Sequence, residues 1–177
     1  MGEPTEPKPV KLFTGLLTSR PEIFSSVEEE LRAEFGPADL ESELIPFDFT
    51  DYYSEEMGED IKRKFISFEE LIDPGDIADI KLNTNEAEEE FSEELDVDLP
   101  RPINIDPGYV GQSKMVLATT KNYSHRIYIR SGIYAEVTFQ YKDGSFRALQ
   151  WTYPDYRSEE YLEFFERVRT RYCEQLN

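Results

Sequence analysis

The stretch that most restricts the fold is HRIYIRSGIYAEVTFQYKDGSFRALQWTY, His125–Tyr153. It contains three runs rich in β-branched and aromatic residues, joined through Ser131-Gly132 and Lys142-Asp143-Gly144-Ser145. Glycine after a small polar residue supplies the positive φ that a tight hairpin requires, so both joints predict antiparallel pairing. HRIYIRS, GIYAEVTFQYKDG and SFRALQWTY therefore predict an antiparallel meander. Strict alternation sorts Ile133, Ala135, Val137, Phe139 and Tyr141 to one face and Tyr134, Glu136, Thr138 and Gln140 to the other. The first face is expected to be core and the second wet.

The rest of the chain must supply the layers against which this sheet packs. Val10–Ser19, VKLFTGLLTS, reads as a buried central strand that ends before Pro21. Ile23, Phe24, Val27, Leu31 and Phe35 fall mainly four apart and predict an amphipathic helix stopped by Gly36-Pro37. LESELIPFDFTDYY predicts an edge strand or one broken at Pro46. SEEMGEDIKRKF is polar and predicts a turn or a short helical excursion, and RKFISFEE a short strand. A helix capped by Asp73, with Pro74 in its first turn, presents Ile77, Ile80, Ala87, Phe91 and Leu95 along one side. PINIDPGYV predicts a strand closing in a Pro-Gly turn, and KMVLATTK a further apolar run. Asp155 or Ser158 can cap a closing helix carrying Tyr161, Leu162, Phe165, Val168 and Tyr172.

This order predicts an α+β single-domain sandwich over residues 10–177, with a ferredoxin-like βαββαβ core extended by the C-terminal antiparallel meander and the closing helix. Residues 1–9 hold three prolines and little to bury, and are expected to form a disordered lead.

The net charge of −19 is unevenly placed: residues 1–100 carry 29 acids and 8 bases, residues 101–177 only 9 acids and 11 bases. An acidic envelope repels phosphate backbones and anionic headgroups, which argues against nucleic-acid and membrane partners. One cysteine, Cys173, permits no intrachain disulfide and no thiolate metal cluster. With no apolar run of membrane-span length and a polar, proline-rich N-terminus, the expected location is cytoplasmic.

At FDFTDYY, KLNTNEAEEEF, NIDPGY, KMVLATTKNYSHRIY, GIYAEVTFQY and WTYPDYRS the chain resembles an uncharacterised bacterial family, domain of unknown function 4416, from about Val10 to Arg169. The resemblance brings no catalytic residues to these positions. Some members carry a GTP-binding label, yet this chain has no GxxxxGK[ST] and its nine glycines form no phosphate-cradling loop.

Candidate chemistry concentrates in the C-terminal half. His125 at a loop-to-strand junction suits a general base, with Lys121 and Arg126 to hold an anion and Tyr123 to donate a proton. Against this stands a purely structural use, with the histidine bonding the strand end and the cations solvated. Asp48, Asp51, Asp106, Glu136 and Asp155 lie near strand ends or turns, where two carboxylates in one cleft can hold a divalent cation or divide acid and base roles. Turn and cap duties are the simpler account of Asp106 and Asp155. Glu136 differs, because a mid-strand carboxylate needs solvent or a cationic partner such as Arg126 or Arg147.

WTYPDYRS combines Trp151, Tyr153, Asp155, Tyr156 and Arg157 in one loop and is the best single segment for a site. Lys81 and Asn85 share a helix face and can point to the same cleft, or Lys81 can pair locally with a glutamate. No HExxH, CxxC or EF-hand pattern assigns a metal or cofactor.

The expected function is a binding protein or enzyme for a small anionic metabolite, a nucleotide being one candidate. In this reading His125 and Glu136 are catalytic, and Lys121, Tyr123, Arg126, Tyr153, Asp155 and Arg157 bind the ligand. The rival reading is a non-catalytic acidic module that docks a basic partner through residues 76–98. A metal-dependent hydrolase is the third.

Overall fold

The structure, a computed structural model, describes residues 2–177. Its organising element is β1 (Val10–Thr18), every residue of which is buried, because both faces of this strand are covered. Leu12 and Leu16 face one core, and Phe13 faces another on the opposite side of the sheet. Such double burial explains why the segment is apolar without alternation.

After β1 come α1 (Phe24–Phe35), β2 (Ala38–Glu41), β3 (Ile45–Pro46), the single turn α2 (Ser54–Met57), β4 (Lys62–Ile72) and α3 (Ile77–Glu94). The second half comprises β5 (Asn104–Val110), β6 (Lys114–Thr119), β7 (Ile127–Arg130), β8 (Ile133–Lys142), β9 (Ser145–Ala148) and α4 (Glu159–Gln175). One antiparallel sheet has the order β2-β4-β1-β5-β6-β8-β7, with β3 paired to β4 and β9 to β8. The path β1-α1-β2-β4-α3-β5, with β4 and β1 between β2 and β5, is the ferredoxin-like split βαβ arrangement predicted for the core. β6, β8 and β7 extend it beyond β5.

Helices cover both sides. Val27 and Leu31 of α1 and Ile77, Ala78 and Ile80 of α3 pack with Leu12, Ile66 and Ile105. Phe164, Phe165 and Val168 of α4 pack with Phe13, Phe65 and Phe139 on the other face. The Phe13 and Phe165 rings meet edge to face with centroids 4.7 Å apart. The far end of α4 is tied to the sheet by the buried Lys11, whose Nζ donates to Asp39 Oδ2 at 2.6 Å, Phe68 O at 2.8 Å and Gln175 Oε1 at 2.9 Å.

Both hairpins take the predicted form: Ser131-Gly132 and Asp143-Gly144 have φ values of 51°, 79°, 53° and 83°, the paired positive angles of a two-residue type I′ turn. The alternation through β8 does not hold. A bulge at Thr138, opposite the Met115/Val116 step of β6, reverses the phase, so that Phe139 joins the core under α4 while Ile133 joins the core under α1 and α3. The face expected to be wet is accordingly buried at Glu136 and Thr138, which are 1% and 0% exposed.

β7 and β9 share the edge of β8 that β6 does not occupy. Between them, side chains substitute for a strand: Trp151 Nε1 donates to Val137 O at 2.8 Å and Thr152 Oγ1 to Thr138 O at 2.6 Å. β9 therefore ends at Ala148, short of the predicted SFRALQWTY run.

Two further expectations change. Pro107-Gly108 is not a turn but the middle of β5: Pro107 lies opposite Thr14 of β1, one residue before pairing with β6 begins at Gly108. A Cβ on Gly108 would stand 2.4 Å from Val116 O and 2.5 Å from the Phe13 ring. Neither predicted cap serves α4: Ser158 occupies the cap position without bonding it, and Asp155 faces elsewhere. Among the described residues no helix is long and apolar enough to cross a membrane.

The contact at Gly108 sets a stability prediction. Gly108→Ala is expected to cost about 3 kcal/mol, seen as a drop of roughly 6–12 °C in Tm. Gly111→Ala, where the nearest heavy atom would be 3.7 Å away, is expected to cost under about 1 kcal/mol. Equal losses in a calorimetric scan of the two variants would contradict this packing.

Candidate functional site

At the end of the sheet where β1 stops and β4 and β5 start, a cleft of 830 Å³ opens. That is within the ~300–1,000 Å³ of small-molecule sites. Three elements wall it. The segment Phe47–Tyr53 brings aromatic rings, α3 brings Lys81, Asn85 and Glu88, and the turn after Trp151 brings Tyr153 to Tyr156. Five cations and five carboxylates line it, Arg63, Lys81, Arg101, Lys121 and Arg126 against Glu88, Glu89, Asp106, Glu136 and Asp155. In a chain of net charge −19, a locally neutral cleft is the more positive surface.

Its floor is built on Arg63, only 3% exposed, which enters from β4 at the same strand phase as Phe65. Gly15 of β1 makes room, since a Cβ there would come within 3.0 Å of Arg63 Nη1 and 2.9 Å of the Phe65 ring. The guanidinium lies over the rings of Phe47, Phe65, Tyr156 and Tyr161 at 5.3–5.9 Å from their centroids. Nε donates to Tyr161 Oη at 3.0 Å and Nη2 to Asp155 Oδ2 at 3.4 Å, while Nη1 stands 3.8 Å from Asp106 Oδ2 and has no hydrogen-bond partner among the described residues. Burial works against this charge, but the surrounding tyrosines and aspartates outweigh it and hold the pKa above that of a free arginine.

Asp106 links this group to α3. Its Oδ1 lies 3.6 Å from Lys81 Nζ, and its Oδ2 accepts from Asn104 Nδ2 at 2.6 Å. Burial pushes the Asp106 pKa up, but Lys81 and Arg63 pull harder and it falls below the ordinary 3.8. Asp155 goes the other way: burial raises it above 3.8 and Arg63 offsets this only in part. Burial also raises Glu88, which accepts from Ile105 N at 2.6 Å and from Arg101 Nη2 at 2.9 Å. The Tyr53 hydroxyl is pushed up to about 12 by burial and the nearby Asp106, and so stays protonated at physiological pH.

A second cluster forms the upper wall. Glu136 Oε2 is shared by His125 Nε2 and Arg126 Nε, each at 2.9 Å. Arg126 also donates to Lys121 O at 3.0 Å and Tyr153 Oη at 2.8 Å, and Thr138 Oγ1 donates to Glu136 Oε1 at 3.2 Å. The His125 ring stacks on Trp151 with centroids 5.1 Å apart and planes 10° apart. Glu136 thereby clamps the 121–126 loop to the segment after Trp151. Lys121 Nζ lies 5.1 Å from the centre of the Tyr52 ring, and no carboxylate among the described residues is within ion-pairing distance of it.

Of the residues read from the sequence, Lys121, Arg126, Glu136, Tyr153 and Asp155 line one cleft. His125 belongs to the same cluster through Glu136 but does not line the cleft, and Tyr123 packs on the outer side of His125, 66% exposed. Arg157 turns away, donating to Thr152 O at 3.0 Å, Leu149 O at 2.9 Å and Gln150 O at 3.2 Å, where it braces the loop. Sequence reasoning missed Arg63, Arg101 and Glu88. An arginine in phase with Phe65 was the available signal for the first. Asp106 was singled out among the carboxylates that can share a cleft, with turn duty as the simpler account, and the structure puts it on the cleft floor. Nowhere among the described residues do three His, Cys, Asp or Glu side chains converge to hold a metal ion.

Fold and cleft together define an α+β domain with a polar, tyrosine-walled cleft at the sheet end. The chain matches the family model described as "Domain of unknown function (DUF4416)" over residues 8–172, and it belongs to that family. No curated protein and no solved structure matches it.

The floor makes a pH prediction. Because its folded-state pKa is depressed, Asp106 contributes stability that is present above its unfolded value of 3.8 and is lost as pH falls through the lower folded value. Asp155, with its pKa raised, contributes in the opposite sense, favouring the fold below 3.8 and losing that contribution as pH rises through the folded value. In acid titrations followed by circular dichroism, Asp106→Asn is expected to flatten the loss of stability below pH ~4. Unchanged steepness would rule out Asp106 as a source of it.

Proposed function

We propose that this protein is a cytoplasmic binding protein or enzyme for a small anionic metabolite, which enters the cleft between the Phe47–Tyr53 segment and Tyr153. The observation that carries the reading is Lys121: an unpaired ammonium at the rim of an aromatic-walled cleft, in a chain whose other charges are mostly negative. An anion placed there has no resident carboxylate to displace, since the ammonium's partner among the described residues is the neutral Tyr52, through its ring and, at 3.5 Å, its hydroxyl. Arg126, held against Tyr153 and Glu136, lies in the same wall and adds positive potential without having to move. The acidic remainder of the surface repels large polyanions, which favours a compact ligand over a polymer.

The Glu136–His125 pair gives this cleft a titratable group coupled to its wall, and general acid–base chemistry is the catalytic role that fits it. His125 would act through Glu136 rather than by direct contact, because its ring is stacked against Trp151.

The test is a thermal-shift series with phosphate- and carboxylate-bearing metabolites. A ligand at a hundred times its Kd stabilises by about 2.7 kcal/mol, a rise of roughly 5–10 °C for a chain of this size. Lys121→Glu is expected to abolish the rise while leaving the unliganded Tm within about 1–2 °C of wild type, because the side chain is exposed. If no compound moves the wild-type Tm, or if Lys121→Glu responds like wild type, the reading fails.

A further inference from the structure

We infer that the ligand of this cleft is a hydroxylated compound with one anionic end, of the sugar-phosphate class. The inference rests on reading the cleft as an anion site, and adds what the rest of the ligand must be.

The buried and half-buried carboxylates that face the cleft already have cations. Glu88 holds Arg101 at 2.9 Å, Asp155 holds Arg63 at 3.4 Å, Asp106 holds Lys81 at 3.6 Å and Glu136 holds Arg126 at 2.9 Å. A ligand bringing its own positive charge to any of these four would have to displace a resident side chain, at the cost of leaving a buried charge unpaired, which leaves only the exposed, solvated Glu89 to meet it. The same pairs occupy every lining cation except Lys121. Among the described residues Lys121 is the one lining cation without a carboxylate partner and the exposed Glu89 the one lining carboxylate without a cation, so the anionic end of a ligand goes to Lys121.

What remains is neutral and polar. The Tyr53 hydroxyl and the Asn85 amide, brought by different elements, make no side-chain hydrogen bond among the described residues, and both line the cleft. Each can donate and accept. The Asp106 carboxylate, 31% exposed, retains lone pairs beyond those used by Asn104. A body complementary to these groups must donate to a carboxylate and an amide oxygen, accept from an amide and a phenol, and carry no charge. Hydroxyl groups meet all of these requirements, whereas an aliphatic or purely aromatic body leaves the polar groups unmatched. Tyr52 and Tyr153, 65% and 46% exposed, offer ring faces for the C–H surface of such a body.

Isothermal titration with glucose 6-phosphate, fructose 6-phosphate and ribose 5-phosphate, their parent sugars, and inorganic phosphate tests this. At least one sugar phosphate is expected to bind tenfold or more tightly than both its parent sugar and inorganic phosphate. Lys121→Ala is expected to weaken that sugar phosphate about tenfold and leave the parent sugar unchanged. Asn85→Ala, on a half-buried helix surface, is expected to weaken sugar phosphate and parent sugar alike, but not inorganic phosphate. Inorganic phosphate binding as tightly as all three sugar phosphates would overturn the hydroxylated body and leave the anion site standing. Failure of every sugar phosphate would overturn the sugar-phosphate ligand, and the anion site falls with it only if the carboxylate-bearing compounds of the thermal-shift series fail as well.

Discussion

The placement of the Arg63 guanidinium is the constraint on which the cleft depends. An arginine this buried needs its charge answered from several directions. The answers come from parts of the chain far apart in sequence: Asp106 on β5, Asp155 in the turn before α4, Tyr161 in α4 itself and Phe47 beyond β3. Once those groups converge, the β4–β1–β5 end of the sheet, the aromatic segment and the root of the closing helix are held to one geometry. Gly15 belongs to the same arrangement, because a larger residue on β1 would take the space of the guanidinium and of Phe65.

Above that floor, charge is arranged so that almost nothing is left over. Pairing within the cleft neutralises four of its five carboxylates, while most acids elsewhere on the chain are exposed, so the interior of the cleft differs from the outer surface by more than its composition suggests. Lys121 is the residue at which this compensation stops. The two walls also differ in kind. The Asp106–Lys81 side links a strand to a helix through groups set in the core, whereas the Glu136–Arg126–Tyr153 side links two loops across an interrupted sheet edge.

The sequence made the core topology legible because its signals were local. Ser131-Gly132 and Asp143-Gly144 dictate turns by φ alone, and the uniform apolarity of β1 marks a strand covered twice. Phe164, Phe165 and Val168 fell on a helix that was recognised, but the face it would cover was not, since α4 meets β1 across more than a hundred residues of chain. The polarity of β8 misled for a different reason: the bulge at Thr138 shifts phase without any glycine or proline to announce it, so Glu136 counted as wet while the fold buries it. Pro107-Gly108 resembled a turn because the residues of a turn and those of a close strand approach are the same. Lys121, Arg126, Glu136, Tyr153 and Asp155 could be gathered from one half of the sequence. Arg63 could not, because what places it is tertiary pairing with that half.

The interruption on the outer edge of β8 has a consequence for the behaviour of the molecule in a crowded solution. A long uncovered strand presents an unbroken row of amides and carbonyls, on which a neighbouring chain can add itself. Here the two short strands and the indole and hydroxyl of Trp151 and Thr152 divide that row. No stretch of it is long enough to template another strand, and the domain is in this way shielded from edge-to-edge aggregation.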